Sequence, residues 1–224
     1  MKEVSSPQYY SVSDEEVTVY LEHEGQIVQI EFLNESVYTN VSINKSGYTE
    51  VVPGQEIRYT FKDIGNNSTV PLDSFYWRDT LPTDAVRLDK IITGTYSTRL
   101  NYKVVFQTNL SNTQRVLADN LNTLQNYTLD ASPAALGLAS NEYVTQVTFL
   151  FGRVPGGFRQ VETPYIYCDV LSSLPHEYRF SNKCDVGGMW QNQWIQATDR
   201  WVTIIYRGGR SRPCPGQATK QNDQ

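Results

Sequence analysis

The chain has little of what most catalytic and metal-binding proteins use. Its 224 residues include only two histidines, three cysteines and two methionines. Cys168, Cys184 and Cys214 show no Cys-x-x-Cys spacing, so no zinc site is expected. An odd count is not a disulfide framework. Cys168 and Cys184 read either as a bridged pair on neighbouring strands or as buried free thiols. His23 and His176 fall in turn sequences, and neither accompanies a Gly-x-Ser-x-Gly nucleophile, so both read as solvent-facing. P-loop, Gly-x-Gly-x-x-Gly and Asp-x-Asp-x-Asp-Gly calcium patterns are missing, and no carboxylate pair is singled out. These absences argue against a turnover enzyme and leave no cofactor and no metal to expect. The net charge is −5 and the pI near 5.1. Without a basic cluster, nucleic acid is excluded as a partner. No uninterrupted apolar run of about 18 residues offers membrane insertion, and the start has neither the basic nor the apolar region of a signal peptide.

What is present is β-forming. Fifteen tyrosines accompany abundant Val and Thr, while long Leu/Ala/Glu/Lys-rich periodic stretches are missing. Val17, Val19 and Leu21 alternate on one face, His23–Gln26 supplies a turn, and Val28, Ile30, Phe32 and Asn34 alternate on the return, a hairpin of period two. Val41, Ile43 and Lys45 alternate again. Val52-Pro-Gly-Gln55 then turns into a strand with Ile57, Tyr59 and Phe61 inward, and Gly65–Ser68 reads as loop. Phe75, Trp77 and Asp79 share a face, and Leu81-Pro82 ends that strand. Further strands are expected over 85–92, 100–108, 142–151, 165–171, 178–186 and 194–206. Ser132–Gly137 is the one helical turn, with Pro near its first position. Some eight to ten strands separated by Gly, Pro and Asn turns predict an all-β, sandwich-type fold.

Two stretches carry a family resemblance. Glu3, Pro7 and Tyr10 match a Glu-x-x-x-Pro-x-x-Tyr element, and Asn34 ends the following hairpin. Together they resemble the last part of a Cna B-type repeat of Gram-positive pilins and adhesins. In that family the Glu and the Asn belong to an internal Lys–Asn isopeptide bond, whose Lys would lie upstream of residue 1. Lys45, Pro53-Gly54, Ile57, Tyr59, Phe61, Asn67, Asp79-Thr80-Leu81-Pro82 and Asn182 to Val186 follow in the order of a second pattern. It is similar to the Ig-like repeats of bacterial cell-surface proteins, over about residues 41–206. Residues 101–159 exceed a minimal repeat and read as carrying an insertion.

Lys45, Asp79 and Asn182 form the one constellation with a mechanism. Each is in phase with apolar neighbours, and buried unpaired charges tend to neutralise. A neutral amine held against a carboxamide, with a protonated Asp to move protons, can form an amide and release ammonia. The ordinary alternative is an edge-strand lysine with its head in water, a turn-capping Asp and a loop-bonding Asn. Most aromatics read as core, whereas Trp190 and Trp194, in a Gly187–Trp194 loop, are the candidates for an exposed sugar-stacking surface.

The domain reading is a Cna B-like remnant over 1–37, an Ig-like sandwich over 38–206 and a disordered tail over 207–224. The resemblance implies a stalk or adhesin module of a sortase-anchored, extracellular, cell-wall-associated protein. Its partners would be neighbouring repeats of the same protein and a host protein or glycan. The alternative role is a carbohydrate- or host-glycan-binding module. Arg212–Lys220 can be back-translated so that a shift of two nucleotides spells Ala-Leu-Pro-Arg-Thr-Gly, a sorting-type sequence. On that reading the tail is a frame-shifted end; the other reading is coincidence.

Overall fold

The computed structural model describes residues 9–13, 16–23, 26–33 and 37–207, with side chains from residue 37 onward. Glu3, Asn34, Cys214 and the tail beyond Arg207 lie outside the described residues, as do the expectations placed on them. The chain divides into two compact units, residues 1–38 and 39–224.

The first unit holds one antiparallel sheet of β1 (Tyr9–Ser13), β2 (Glu16–His23) and β3 (Gln26–Leu33), in the order β1-β2-β3. The β2–β3 register pairs Val17 with Phe32, Val19 with Ile30 and Leu21 with Val28, as period-two alternation requires. The expected two-stranded hairpin is thus a three-stranded sheet, because Tyr9–Ser11 pairs with Val17–Val19.

The second unit is a two-sheet β-sandwich, and no helix occurs among the described residues. Consequently no helix there is long and apolar enough to cross a membrane. One sheet has the order β11-β8-β13-β6-β4: β11 (Thr128–Asp130), β8 (Val86–Ile92), β13 (Tyr165–Val170), β6 (Glu56–Asn66) and β4 (Val41–Ser46). The other has the order β10-β9-β12-β7-β14-β15-β5: β10 (Ser111–Asn122), β9 (Asn101–Thr108), β12 (Val144–Val154), β7 (Leu72–Thr80), β14 (Arg179–Trp190), β15 (Gln193–Ile205) and β5 (Glu50–Val51). All pairings are antiparallel except β15 with β5. The chain therefore changes sheets between β4 and β5.

One apolar core lies between the sheets. Ile57, Tyr59 and Phe61 of β6 face Phe75 and Trp77 of β7 and Phe149 of β12. Phe61 and Trp77 meet at 4.8 Å across the gap, and Trp77 stacks on Phe149 at 3.9 Å. Large rings filling an inter-sheet layer are what sandwich packing needs.

Several local expectations are corrected. Gly65 and Asn66 belong to β6 rather than to a loop, because Asn66 donates its backbone N–H to Phe158 and its side chain to Val70 and Pro155 carbonyls. Residues 101–159, for which the sequence shows only two strands, hold four: besides β9 and β12 they form β10, which pairs with β9, and β11, which pairs with β8. Ser132–Gly137 makes a single turn closed by Leu136 N–H to the Ser132 carbonyl at 3.0 Å. Arg207, placed by sequence in the disordered tail, is held by side-chain hydrogen bonds to the Leu174 and Ser172 carbonyls.

Candidate functional site: a buried Lys–Asp–Asn cluster between the sheets

Strand periodicity delivers all three side chains to the interior. Along β4 the buried positions are Val41, Ile43 and Lys45, so the same alternation that buries two aliphatics buries the lysine. On β7, Phe75, Trp77 and Asp79 are buried. On β14, Phe180, Asn182, Cys184 and Val186 are buried in the same way. Asp79 is directly opposite Cys184 in the ladder, which places Asn182 one diagonal step away on the same face. Lys45 reaches across from the other sheet.

Lys45 Nζ lies 2.5 Å from Asp79 Oδ1, and neither side chain has any exposed surface. Asn182 Nδ2 donates to the other carboxylate oxygen, Asp79 Oδ2, at 3.2 Å, and Asn182 is itself fully buried. Asp79 thus stands between amine and carboxamide. Lys45 is neither an edge lysine with its head in water nor, with its companions, part of a turn or loop. Although β4 is an edge strand, its lysine side chain points inward.

The walls are aromatic. Lys45 Nζ sits 4.1 Å from the Phe61 ring centroid and 4.5 Å from that of Tyr59, a favourable position for a cation on ring faces. Outside the wall, the Lys45 backbone N–H donates to Asp199 Oδ2 at 2.6 Å, tying β4 to β15. Sequence reading missed this contact; its signal is a lone acid within β15. Burial pushes the Asp79 carboxyl above its usual range, opposed by Lys45 and by the hydrogen bond from Asn182. Moving one proton along the 2.5 Å contact removes both charges from a site where charge is costly.

The two described cysteines flank the cluster as buried free thiols. Cys168 is on β13 and Cys184 on β14, in different sheets, so the bridged pair on neighbouring strands is corrected. Burial pushes the Cys184 thiol up to about 12 and the Cys168 thiol well above its ordinary value. Among the described residues no group of three or more His, Cys, Asp and Glu side chains is placed to hold a metal.

Trp190 and Trp194 do not lie in a loop. They belong to the β14–β15 hairpin, which turns at Gln191 and Asn192, both with positive φ. Trp190 is partly buried and packs on the core, a correction to its expected exposure: it shares the inward face with Phe180 and Val186. Trp194 is 51 % exposed and meets Tyr76 edge-on at 6.1 Å. Beside it the Tyr76 hydroxyl donates to Asp185, Gln196 donates to Tyr76, and Arg78 pairs with Asp185 at 2.6 Å.

No protein family's sequence profile matches the chain, and no curated protein matches it in sequence. Among solved structures it is similar to ACE19, the collagen binding subdomain of the Enterococcus faecalis surface protein ACE. That likeness has 11 % identity and a TM-score of 0.31, over 74 % of this chain and 96 % of that one. It is also similar to AggA, the major subunit of aggregative adherence fimbriae type I from Escherichia coli, at 8 % identity and a TM-score of 0.30, over 75 % and 95 % of the two chains. A third likeness, at 10 % identity and a TM-score of 0.30 over 86 % and 98 %, is to AvmM, which catalyses macrocyclization in alchivemycin A biosynthesis.

Proposed function

We propose that residues 39–207 form a structural module of an extracellular, surface-displayed protein, locked by a self-formed amide bond between Lys45 and Asn182. The observation that carries this reading is the fully buried contact of Lys45, Asp79 and Asn182. Three polar side chains sealed in a core cost stability unless they are paired or serve a purpose. An amine, a proton carrier and a carboxamide are the reactants of one particular reaction.

The steps balance without outside reagents. Lys45 gives a proton to Asp79, and Nζ adds to the Asn182 carboxamide carbon. Asp79 passes the proton it holds to Nδ2 and takes a second proton from the newly bonded Nζ. The carbon–Nδ2 bond breaks, ammonia leaves and an amide joins β4 to β14. The fold supplies proximity, the largest item in such an intramolecular reaction. It runs once per chain, as maturation, so no turnover enzyme is proposed. Sequence resemblance to wall-anchored repeats supports a stalk or adhesin placement on a Gram-positive surface, with neighbouring repeats as partners. The test is intact mass: the folded chain should be lighter than its sequence by one ammonia, and Asp79→Ala should restore the full mass.

A glycan-binding surface is the second reading, favoured by the half-exposed Trp194 ring beside Asp185, Arg78 and Gln196. An exposed indole next to polar groups suits a sugar face. A screen of immobilised glycans with Trp194→Ala as the control separates this reading from a purely structural one.

A further inference from the structure

The outer face of the seven-stranded sheet holds three strands in register. Lys183 of β14 lies directly between Thr80 of β7 and Arg200 of β15. Two residues on, Asp185 lies between Arg78 and Thr198, and then Gly187 between Tyr76 and Gln196. Trp194 follows at the hairpin end of β15. Lys183, Arg200 and Trp194 are all exposed.

Lys183 and Arg200 face each other at a cost. Like charges directly opposite on paired strands are destabilising, and neither cation has an acidic partner within 4 Å among the described residues. The nearby acids are taken. Asp185 accepts from the Tyr76 hydroxyl on one oxygen and from Arg78 on the other. Asp199 accepts the backbone N–H groups of Lys45 and Arg200. A cavity of about 480 Å³ opens over the Lys183 and Asp185 rows, within the size range of small-ligand sites. Beyond it the surface turns aromatic. An added Cβ at Gly187 would fall 3.0 Å from the Tyr76 ring and hydroxyl, so the glycine gives that ring its place across β14. The Tyr76 ring in turn backs the exposed Trp194 indole.

We propose that this face binds an oligosaccharide bearing one acidic group, a carboxylate or a sulfate, with Lys183 and Arg200 holding the acid and Trp194 stacking on a sugar ring further along. The proposal deepens the glycan reading above and rests on it; it is independent of the Lys45–Asn182 bond. Arg200 and Trp194 lie six residues apart on β15, about 20 Å of strand, a span for several linked sugars and not for one. A guanidinium and an ammonium side by side suit an oxyanion, and the bound acid cancels the repulsion between them. The chain's net charge of −5 favours a single local acid over a polyanion such as nucleic acid.

The experiment measures binding of the full chain to immobilised tetrasaccharides of glucose, galactose and N-acetylglucosamine, α- and β-linked, in matched sets. Each set holds the neutral chain, the same chain with one hexuronic acid and the same chain with one sulfated sugar. At least one acidic member should bind about tenfold or more tighter than its neutral parent, and added salt should shrink the difference. Lys183→Gln and Arg200→Gln should each bring the acidic-to-neutral ratio close to one. Trp194→Ala should weaken every member. Without ligand, Lys183→Gln should raise the melting temperature by about 1–3 °C, because the repulsion is gone. Equal binding of acidic and neutral members would overturn the acid site and leave the glycan reading standing. No binding in any set would overturn both. A single-stranded DNA oligonucleotide held more tightly than every sugar would overturn the proposal in favour of a nucleic-acid surface. A lower melting temperature for Lys183→Gln would overturn it too, since the cation would then serve the fold.

Discussion

At the scale of single residues, the cluster makes opposite demands on its members. Asp79→Ala and Asn182→Ala both abolish the proposed bond, yet they should not be equally harmful. Asn182→Ala leaves the Lys45–Asp79 pair intact. Asp79→Ala strands the Lys45 amine between the Tyr59 and Phe61 rings, and breaking a buried pair costs about 3–5 kcal/mol. In thermal unfolding Asp79→Ala should melt well below Asn182→Ala; equal midpoints would mean that Lys45 finds another partner or water. The flanking thiols give a separate check. With Cys184 raised to about 12 and Cys168 well above its ordinary value, both are protonated at pH 8, and the thiolate is the reactive form. Peptide mapping after native alkylation should find both unmodified, and unfolding should expose them. Rapid labelling of either in the native chain would contradict the sealed interior.

At the scale of elements, backbone geometry sets the next expectation. Gly94 links the end of β8 to the next loop at φ +67, and an added Cβ would fall 2.3 Å from the Glu162 carbonyl oxygen. Gly94→Ala combines a disfavoured left-handed conformation with a backbone clash. It should destabilise the unit by more than about 2 kcal/mol in denaturant unfolding; a loss under about 0.5 kcal/mol would show that the loop simply shifts. Strands such as β4, β7 and β14 were legible because one face is buried and alternation marks it. The Lys45, Asp79 and Asn182 positions were legible for the same reason, each in phase with apolar neighbours. β10 was not legible: it is an edge strand with most side chains exposed on both faces, and its register shifts three times, so no period of two survives. β11 is too short, at three residues, to show one. The strand character of Gly187–Trp190 was hidden because glycines and a Gln-Asn turn read locally as loop.

At the scale of the whole molecule, the proposed bond joins the first strand of the sandwich to the penultimate strand of its chain, across the two sheets. It closes the loop from residue 45 to residue 182, for which chain-entropy reckoning gives about 5 kcal/mol. Asn182→Ala should therefore melt roughly 10–20 °C lower than wild type, at about 2–4 °C per kcal/mol for a domain this size. The mechanical consequence is larger. Tension applied through the ends would pass from Lys45 directly to Asn182 and bypass all that lies between. Single-molecule pulling should show the Asn182→Ala unit lengthening by about 45–50 nm more than wild type, from the extended reach of the released segment. The most direct test of the central claim is the intact mass of the purified, denatured chain. The account predicts a mass lower than the sequence by one ammonia, with a fragment linking Lys45 to Asn182 after digestion, and the full mass in Lys45→Ala, Asp79→Ala and Asn182→Ala. A wild-type chain at its full sequence mass would contradict it, and would leave the cluster as a buried ion pair with a hydrogen-bonded amide.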